Sequence, residues 1–208
     1  HPNSKKTWAV HYDTPKALFE ACDELGVGKI IQISALGIEA CDVPYATSKL
    51  AAENFLKTIK TPSVILRPSL VVGRGAYGGT ALFRGLAGLP YFTPIPGDGQ
   101  QMFQPILLED LSKAICHLVE MPFEGCRIYS AVGPERITMK SILSTLRAWL
   151  GFPASKVIYI PRSLIRWVSK LGDWIPYSST NSTSYEMMQQ SNIATENETQ
   201  AFHERIGF

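Results

Sequence analysis

The sequence lacks the long apolar runs and the charge excess that mark several classes of protein. It contains no run of about 18 apolar residues, so no membrane-spanning helix is predicted. Its net charge is only +2, from 20 basic and 18 acidic side chains. Nucleic-acid binding needs a basic face with interleaved aromatic residues, and no such face is apparent, so we expect no nucleic-acid partner.

Cysteine and histidine are scarce, and their spacing matches no metal site. No two cysteines form a C-x-x-C pair, and the sequence contains no internal repeat. The residues in question are Cys22, Cys41, Cys116, Cys126, His1, His11, His117 and His203. We therefore expect no bound metal. Single cysteines in apolar surroundings are typical of reduced thiols, which predicts a cytoplasmic protein.

What the sequence does contain is a serine, a tyrosine and a lysine in a suggestive order. A short apolar run ends at Ser34, and a helical pattern then carries Tyr45 and Lys49. Positions i and i+4 lie about 40° apart on a helix, so Tyr45 and Lys49 point the same way. An ammonium group beside a phenol predicts a Tyr45 pKa below its usual value of about 10. Together with Ser34 at the carboxyl end of a strand, they could bind an alcohol or carbonyl oxygen and move its proton.

The Tyr-Lys spacing alone is a weak signal, because Tyr12 and Lys16 repeat it. Pro15 is best placed at the first position of a helix, which leaves Tyr12 outside that helix. The context of Tyr45 is stronger, since a strand, a loop and a helix follow one another. The alternative, that Tyr45 and Lys49 are ordinary surface side chains, remains open.

Five collinear runs carry a wider resemblance: ISALG, PYATSKLAAE, VILRPSLVVGRG, GDGQQMFQPILLEDLSKAI and YSAVGPERIT. Over roughly residues 8–160 the chain resembles an extended or atypical short-chain dehydrogenase/reductase. It is most similar to epimerase/dehydratase-like proteins related to the nucleotide-binding accessory subunit of respiratory complex I. The resemblance implies an α/β fold: the C-terminal part of a doubly wound Rossmann-type parallel sheet with a small, mostly helical C-terminal substrate region.

The same resemblance implies a site and a cofactor, NAD or NADP. Ser34, Tyr45 and Lys49 take the catalytic positions, and Lys49 also bonds the nicotinamide ribose. Arg67, Pro68 and Ser69 match the segment beside the nicotinamide, although Arg67 could instead pair with a carboxylate. Arg74 and Arg84 are candidates for an anionic small-molecule substrate, with solvated surface arginines as the alternative.

The resemblance also implies a domain division. Residues 1–133 would form a partial NAD(P)-binding Rossmann domain with a substrate-loop insertion over 74–105, and residues 134–208 a helical substrate-binding region. Because this family's glycine fingerprint belongs to its first strand, turn and helix, we expect that part to precede His1. The G-x-G-x-x-G at Gly73, Gly75 and Gly78 follows the catalytic helix, so it is not expected to hold phosphate. This chain alone should bind cofactor poorly, and its open sheet edge favours a homodimer or swapped oligomer.

Periodicity and caps predict the individual elements. Helices are expected near 15–25, 44–58, 81–86, 111–121, 138–150 and 161–175, and strands near 29–34, 63–67, 126–132 and 157–160. Glu109 and Asp110 are expected to complement the dipole of the fourth helix. The polar tail, 177–200, is either loosely ordered or docked through Met187, Met188 and Ile193.

The last predicted helix is amphipathic. Its apolar face contains Leu164, Ile165, Val168, Leu171 and Ile175, and its basic edge contains Arg162, Arg166 and Lys170. This pattern is compatible with an anionic membrane surface, but a helix that packs on its own protein with a solvated basic edge is the more common case. The leading hypothesis is therefore an NAD(P)-dependent oxidoreductase or epimerase acting on a secondary alcohol or carbonyl. The alternative is a non-catalytic nucleotide-binding scaffold or assembly protein, which this helix could place at a membrane surface.

Overall fold

The computed structural model describes residues 4–75, 78–174, 181–189 and 191–206. The strands in these ranges are β1 (Ile30–Ile33), β2 (Ser63–Pro68), β3 (Val71–Val72), β4 (Phe92–Pro96), β5 (Met102–Phe103), β6 (Ile106–Leu107), β7 (Cys126–Ala131), β8 (Ile137–Thr138) and β9 (Lys156–Ile160). The α-helices are α1 (Ser4–Trp8), α2 (Thr14–Glu24), α3 (Pro44–Leu56), α4 (Gly78–Ala87), α5 (Leu108–Glu120), α6 (Met139–Trp149), α7 (Arg162–Gly172), α8 (Ser182–Gln189) and α9 (Glu196–Ile206). A π-helical turn, Ala9–Asp13, joins α1 to α2, and a 3-10 turn, Ile38–Ala40, precedes α3.

A parallel sheet with the strand order β1-β2-β7 organises the fold. Every residue of the central strand β2 is buried, and its side chains alternate between two apolar clusters. Ile65 belongs to the cluster that contains Phe19 of α2 and Leu56 of α3. Val64 and Leu66 belong to the cluster formed with α5 and α9. Helices therefore cover both faces of the sheet, which confirms the predicted doubly wound fold.

The β1 strand pairs only with β2 among the described residues, so its other edge is open, as predicted. A sheet edge with unpaired backbone groups is a template for a further strand. The homodimer or swapped oligomer that this edge would favour stays a prediction.

The end of the tail is docked rather than loose. Phe202 of α9 is fully buried in the cluster between the sheet and α5, and Ala194 is buried beside Leu36 and Val132. Of the anchors expected from the sequence, Met187 and Ile193 are half-buried, and the side chain of Met188 lies outside the described part. Phe202 lies two residues beyond the predicted tail, and the sequence did not select it as an anchor.

A second layer, built on the parallel pair β4–β9, lies beside the sheet. Its core unites α4, α6 and β4 through Phe83, Ile95, Met139 and Leu143. The sequence did not predict β4, because Pro94 and Pro96 argue against a strand. Proline is tolerated here because β4 pairs only with β9 among the described residues, so its other edge has no ladder there for a proline to break.

Most predicted boundaries hold to within a few residues, with one informative difference at Pro68. The strand β2 continues through Pro68, which pairs with Ala131 of β7, instead of stopping at Arg67. The Pro68 carbonyl accepts a hydrogen bond from the Leu36 N–H at 3.0 Å. The missing proline N–H points to the same side, where β1 has already ended. Helix α7 is described as far as Gly172, and the predicted member Ile175 lies outside the described residues.

A buried ion cluster at Arg67 joins β2 to the segments that follow β1. The Arg67 Nε donates to Oε1 of Glu53 at 3.0 Å, and Nη2 donates to Oε2 at 2.5 Å. The Nη1 group donates to the carboxylate of Glu39 in the 3-10 turn. Burial alone would lower the pKa of Arg67, but the hydrogen bonds and charge of Glu53, with Glu39 adding to them, raise it. Arg67 therefore pairs with carboxylates, the alternative that the sequence left open.

Because Glu53 has no exposed side-chain surface whereas Glu39 is 52% exposed, the same substitution at each should have different effects. Glu53→Gln leaves the buried guanidinium without its main counter-charge, and we expect a loss of about 3–5 kcal/mol in unfolding free energy. Glu39→Gln removes a partly solvated partner and should cost at most about 1 kcal/mol. Urea unfolding measures both, and equal losses would contradict the proposed division of roles.

Candidate functional site at the carboxyl end of the first strand

Ser34 follows β1 directly, at the end of the sheet where its parallel strands finish. Its backbone N–H continues the ladder by donating to the Leu66 carbonyl at 2.7 Å. Its side chain is buried, yet the hydroxyl has no hydrogen-bond partner within the described part of the chain. Burying such a group unpaired costs about 1–3 kcal/mol. A hydroxyl left unpaired at this edge is suited to an oxygen of a bound ligand.

Tyr45 and Lys49 lie on the first turns of α3, which begins at Pro44 because proline fits the first helical position. The Lys49 Nζ lies 5.6 Å from the centroid of the Tyr45 ring. The same Nζ donates to the carbonyl oxygen of Ile33 at 3.2 Å, one residue before Ser34. Lys49 thus links the tyrosine to the strand end, and the structure brings all three predicted residues to one side of the sheet.

The predicted lowering of the Tyr45 pKa is wrong. Burial raises the pKa of Tyr45, because removal from water favours the neutral phenol. Lys49 lies near the ring and donates to a backbone carbonyl, so its charge does not offset that effect. Burial also lowers the pKa of Lys49, while the charge of Glu53 acts in the opposite direction. The resting pair is therefore a neutral phenol beside a partly desolvated ammonium group.

His11 belongs to the same site, although the sequence gave no reason to select it. It lies in the π-helical turn, a rare conformation that is frequent at functional sites. Its ring centroid is 5.1 Å from that of Tyr45, with the planes at 84° in an edge-to-face contact. Burial, and then the charge of Lys49, lower the pKa of His11, so its imidazole is neutral at pH 7. Only the folded π-turn reveals this neighbour, since periodicity does not predict π-helical geometry.

The segment expected beside the nicotinamide makes its polar contacts with protein groups. The guanidinium of Arg67 is engaged by Glu53 and Glu39 as described above. The Ser69 hydroxyl lies 2.5 Å from the side-chain oxygen of Asn192, and the Asn192 Nδ2 donates to the Leu36 carbonyl at 3.2 Å. Asn192 therefore fastens the C-terminal segment across the carboxyl end of the sheet. Pro68 contributes only backbone and ring at this point.

The two candidate substrate arginines have different surroundings. Arg74 is exposed in the loop after β3. Arg84 of α4 donates from Nη1 to the Arg74 carbonyl at 2.8 Å and from Nη2 to the Gly73 carbonyl. Its guanidinium carbon also lies 4.8 Å from the centroid of the Trp149 ring. Arg84 therefore holds the G-x-G-x-x-G loop by its carbonyls, whereas a phosphate would be bound by N–H groups. Ala76 and Tyr77 of that loop lie outside the described residues.

A cavity of about 570 Å³ opens between α4, β4, β9, α7 and α8. Most of its wall is apolar, with Leu86, Pro94, Ile160 and Ile165 among the lining residues and Arg162 as a cation. This volume is in the range of small-molecule sites. Ser34, Tyr45, Lys49, Arg74 and Arg84 do not line it. Ser191 does, and it immediately precedes Asn192, which contacts the sheet end.

The described ranges contain neither a candidate metal site nor a candidate membrane span. No three His, Cys, Asp or Glu side chains of those residues come together in a way that could hold a metal ion. None of the helices there has both the length and the apolar character needed to cross a bilayer.

Two mitochondrial proteins are similar to this chain in sequence. The chain is similar over 177 residues to the mitochondrial NADH dehydrogenase (ubiquinone) 1 alpha subcomplex subunit 9 of Rattus norvegicus and of Mus musculus, with 23% identity to each. The alignment covers 81% of this chain and 44% of each relative, so the chain spans less than half of their length. No family model matches the sequence.

Several solved structures also resemble the chain. The UDP-glucose 4-epimerase of Thermotoga maritima, solved with UDP-glucose, superposes with a TM-score of 0.62 at 20% identity, over 76% of this chain and 59% of the epimerase. The UDP-glucuronic acid 4-epimerase of Bacillus cereus, solved with UDP-glucuronic acid and NAD, gives 0.58 at 20% identity, over 95% and 67%. An epimerase of Methanothermobacter thermautotrophicus gives 0.66 at 17% identity, over 98% and 66%.

These likenesses agree with the strand order, the helices on both faces and the collinear motifs. They confirm the resemblance drawn from the sequence at the level of fold. The chain has the Rossmann-type α/β fold of the atypical short-chain dehydrogenase/reductase-like epimerases and dehydratases.

Proposed function

We propose that the chain carries the catalytic part of an NAD(P)-dependent oxidoreductase or epimerase that acts on a secondary alcohol or carbonyl of a small molecule. One observation carries this proposal: the unpaired buried hydroxyl of Ser34 lies at the strand end that Lys49 joins to Tyr45. The structural relatives support a nicotinamide cofactor, since several were solved with NAD.

Each of the three residues has a distinct role in this proposal. The Ser34 hydroxyl donates a hydrogen bond to the reacting oxygen, and the Tyr45 hydroxyl transfers the proton to or from that oxygen. An ammonium group has three donors, and Lys49 uses one on the Ile33 carbonyl, so two remain for the tyrosine oxygen and the ribose of the cofactor. When bound, the nicotinamide supplies the hydride chemistry.

The raised pKa of Tyr45 keeps its phenol protonated in the resting protein, so the phenol can donate a proton before it can accept one. A neutral phenol acts first as an acid and protonates a carbonyl oxygen that is being reduced. In the opposite direction the phenol must first lose its proton, and that step becomes easier as pH rises. We therefore propose carbonyl reduction as the reaction for which this site is poised near neutral pH.

A second candidate function is a nucleotide-binding scaffold within a larger assembly. The curated relatives are named as a subunit of an NADH dehydrogenase, which favours this candidate. The engagement of Arg67 and Ser69 by protein groups also favours it, because it leaves fewer groups for a ligand. A scaffold would bind NAD or NADP without turning over any substrate, and it would tolerate loss of the Tyr45 hydroxyl.

Tyr45→Phe is the direct test of the catalytic role, made in the protein encoded by the complete open reading frame. We expect turnover to fall by about 10²–10⁴-fold with NAD(P) affinity retained, because only the proton carrier is lost. UDP-glucose, UDP-glucuronic acid, and simple secondary alcohols with their ketones are the first substrates to assay. Oxidation or reduction of the nicotinamide is the readout for an oxidoreductase, and formation of the sugar epimer is the readout for an epimerase, in which the nicotinamide undergoes no net change. Tyr12→Phe is the matched control, because Lys16 pairs with Glu20 there, and turnover should be unchanged. Unchanged turnover in Tyr45→Phe would exclude the catalytic assignment and leave the scaffold.

Ser34→Ala separates a ligand-binding hydroxyl from a structural one. Because the hydroxyl is buried without a partner, its removal should leave stability unchanged or raise it by up to about 1 kcal/mol, while turnover falls. Ser63→Ala removes a second buried hydroxyl that has no partner among the described residues, at the opposite end of the sheet, and should have the same stability effect with normal turnover. Denaturant unfolding and steady-state kinetics measure both quantities. A marked loss of stability in Ser34→Ala would contradict the unpaired state.

His11 predicts a dependence of stability on pH. Its pKa is lower in the folded state than the unfolded value of about 6.5, so the unfolded chain binds more protons below that pH. The contribution of His11 to the free energy of unfolding is fully present above about pH 6.5. It is lost as pH falls from that value through the lower pKa of the folded state. His11→Gln should therefore lose less stability than the unaltered protein on acidification, whereas His117→Gln, which alters an exposed residue, should behave like the unaltered protein. Urea unfolding across this range makes the comparison, and identical acid sensitivity in all three proteins would refute it.

A further inference from the structure

Large aromatic side chains are exposed in one part of the chain. Three of the four tryptophans, Trp149, Trp167 and Trp174, occur within residues 149–174 and are exposed to 61%, 62% and 87%. Each tryptophan side chain can bury well over 100 Å², so leaving three in water is unfavourable. Trp149 is partly engaged by Arg84, whereas the other two belong to α7 and the turn after it. The exposure calls for an apolar partner of this surface.

The helix α7 turns its large apolar side chains outward. The members that it buries are small, Ser169 and Gly172. The outward apolar members are Leu164, Trp167, Val168 and Leu171, each more than 40% exposed. A helix that packs on its own protein normally buries its large apolar side and exposes its polar one. Leu164, Val168 and the half-buried Ile165 line the 570 Å³ cavity, but Trp167 and Leu171 do not, and packing of α7 on its own protein does not explain their exposure.

The charge of the same segment is unusually positive for this chain. Residues 149–174 contain four basic side chains, Lys156, Arg162, Arg166 and Lys170, and one acidic side chain, Asp173. The carboxylate of Asp173 accepts a hydrogen bond from the Ser182 N–H at 2.9 Å, so it faces the start of α8. Since the whole chain has a net charge of +2 and this segment a net charge of +3, the remainder is net −1. The positive charge is therefore concentrated where the exposed apolar side chains are.

We propose that α7 docks the protein on the surface of an anionic lipid bilayer. Leu164, Trp167, Val168 and Leu171 enter the boundary between headgroups and acyl chains, and Arg162, Arg166 and Lys170 contact lipid phosphates. Interfacial helices combine an apolar side rich in Trp and Leu with a basic polar side, and tryptophan is favoured at headgroup depth. A protein groove would have to place an apolar or anionic group opposite each of these side chains, whereas an anionic bilayer presents acyl chains and phosphates over its whole surface.

This inference goes beyond the proposed reaction and does not depend on it. It has one consequence for the 570 Å³ cavity, because Leu164 and Val168 of α7 also line that cavity. Docking through α7 places the cavity mouth beside the lipid. An amphiphilic small molecule would then reach the cavity from the bilayer without crossing water.

Sedimentation with lipid vesicles tests the proposal. We expect the protein to sediment with vesicles of phosphatidylcholine and phosphatidylserine at low salt, to release as salt rises, and to remain in solution with phosphatidylcholine alone. Arg166→Glu/Lys170→Glu should weaken binding by at least about tenfold, because two cations that face phosphates become anions. Lys57→Glu/Lys60→Glu makes the same change of net charge at exposed sites near the end of α3 and should change binding less than about twofold.

A second pair of variants tests the apolar side. Trp167→Glu should abolish sedimentation, whereas Leu25→Glu, at an 82% exposed position outside α7, should leave it intact. Circular dichroism and thermal unfolding establish that each variant is folded. The proposal is overturned if the unaltered protein stays in solution with anionic vesicles at low salt, or if both charge-reversed pairs lose binding equally. Self-association through α7 that is insensitive to these vesicles would also overturn it and identify a second copy as the occupant.

Discussion

The bidentate hydrogen bond between Arg67 and Glu53 is the interaction on which the candidate site depends. Taking a guanidinium and a carboxylate out of water costs several kcal/mol each, and this cost is offset only while both groups stay paired in good geometry. Helix α3 therefore cannot slide or rotate on β2 without leaving two buried charges unpaired. The second carboxylate, from Glu39, extends the same constraint to the turn between β1 and α3.

Glu53 lies at the end of a row of side chains on one side of α3. Tyr45, Lys49 and Glu53 are separated by four residues each, so they share a helix face. The pair that anchors the helix thus also orients the tyrosine and the lysine toward the carboxyl end of β1. It contributes to their electrostatics as well, because the charge of Glu53 opposes the effect of burial on the pKa of Lys49. Ser34 completes the arrangement with a hydroxyl that the fold leaves unpaired.

Local patterns were sufficient to predict the central features of this arrangement. The strand ending at Ser34, the helix beginning at Pro44 and the shared direction of Tyr45 and Lys49 all follow from periodicity, helix geometry and a proline. What escaped prediction depends on contacts between residues distant in the sequence. The partners of Arg67 lie 14 and 28 residues away, β4 needs β9 as a neighbour, and the burial of Phe202 needs the assembled sheet.

The pKa of Tyr45 illustrates the same limit. Spacing predicts that Lys49 is near, but it does not predict how much water the phenol loses, and desolvation decides the direction of the shift. His11 escaped for a related reason, because its approach to Tyr45 requires the π-helical turn. Helix α7 is a different case, because its apolar periodicity predicted the helix correctly. Only the structure shows that much of its apolar side is exposed in the described part of the chain.

We propose that the Arg67–Glu53 pair holds Ser34 and Tyr45 around one ligand oxygen, with Lys49 beside the tyrosine. A crystal structure of the protein with a nicotinamide cofactor and an alcohol or carbonyl ligand tests it most directly. We expect Ser34 Oγ and Tyr45 Oη both to lie within about 3 Å of the same ligand oxygen while Arg67 remains paired with Glu53. A complex in which Arg67 leaves Glu53 to contact the cofactor, or in which the Ser34 hydroxyl is paired with the protein and not with the ligand, would contradict it.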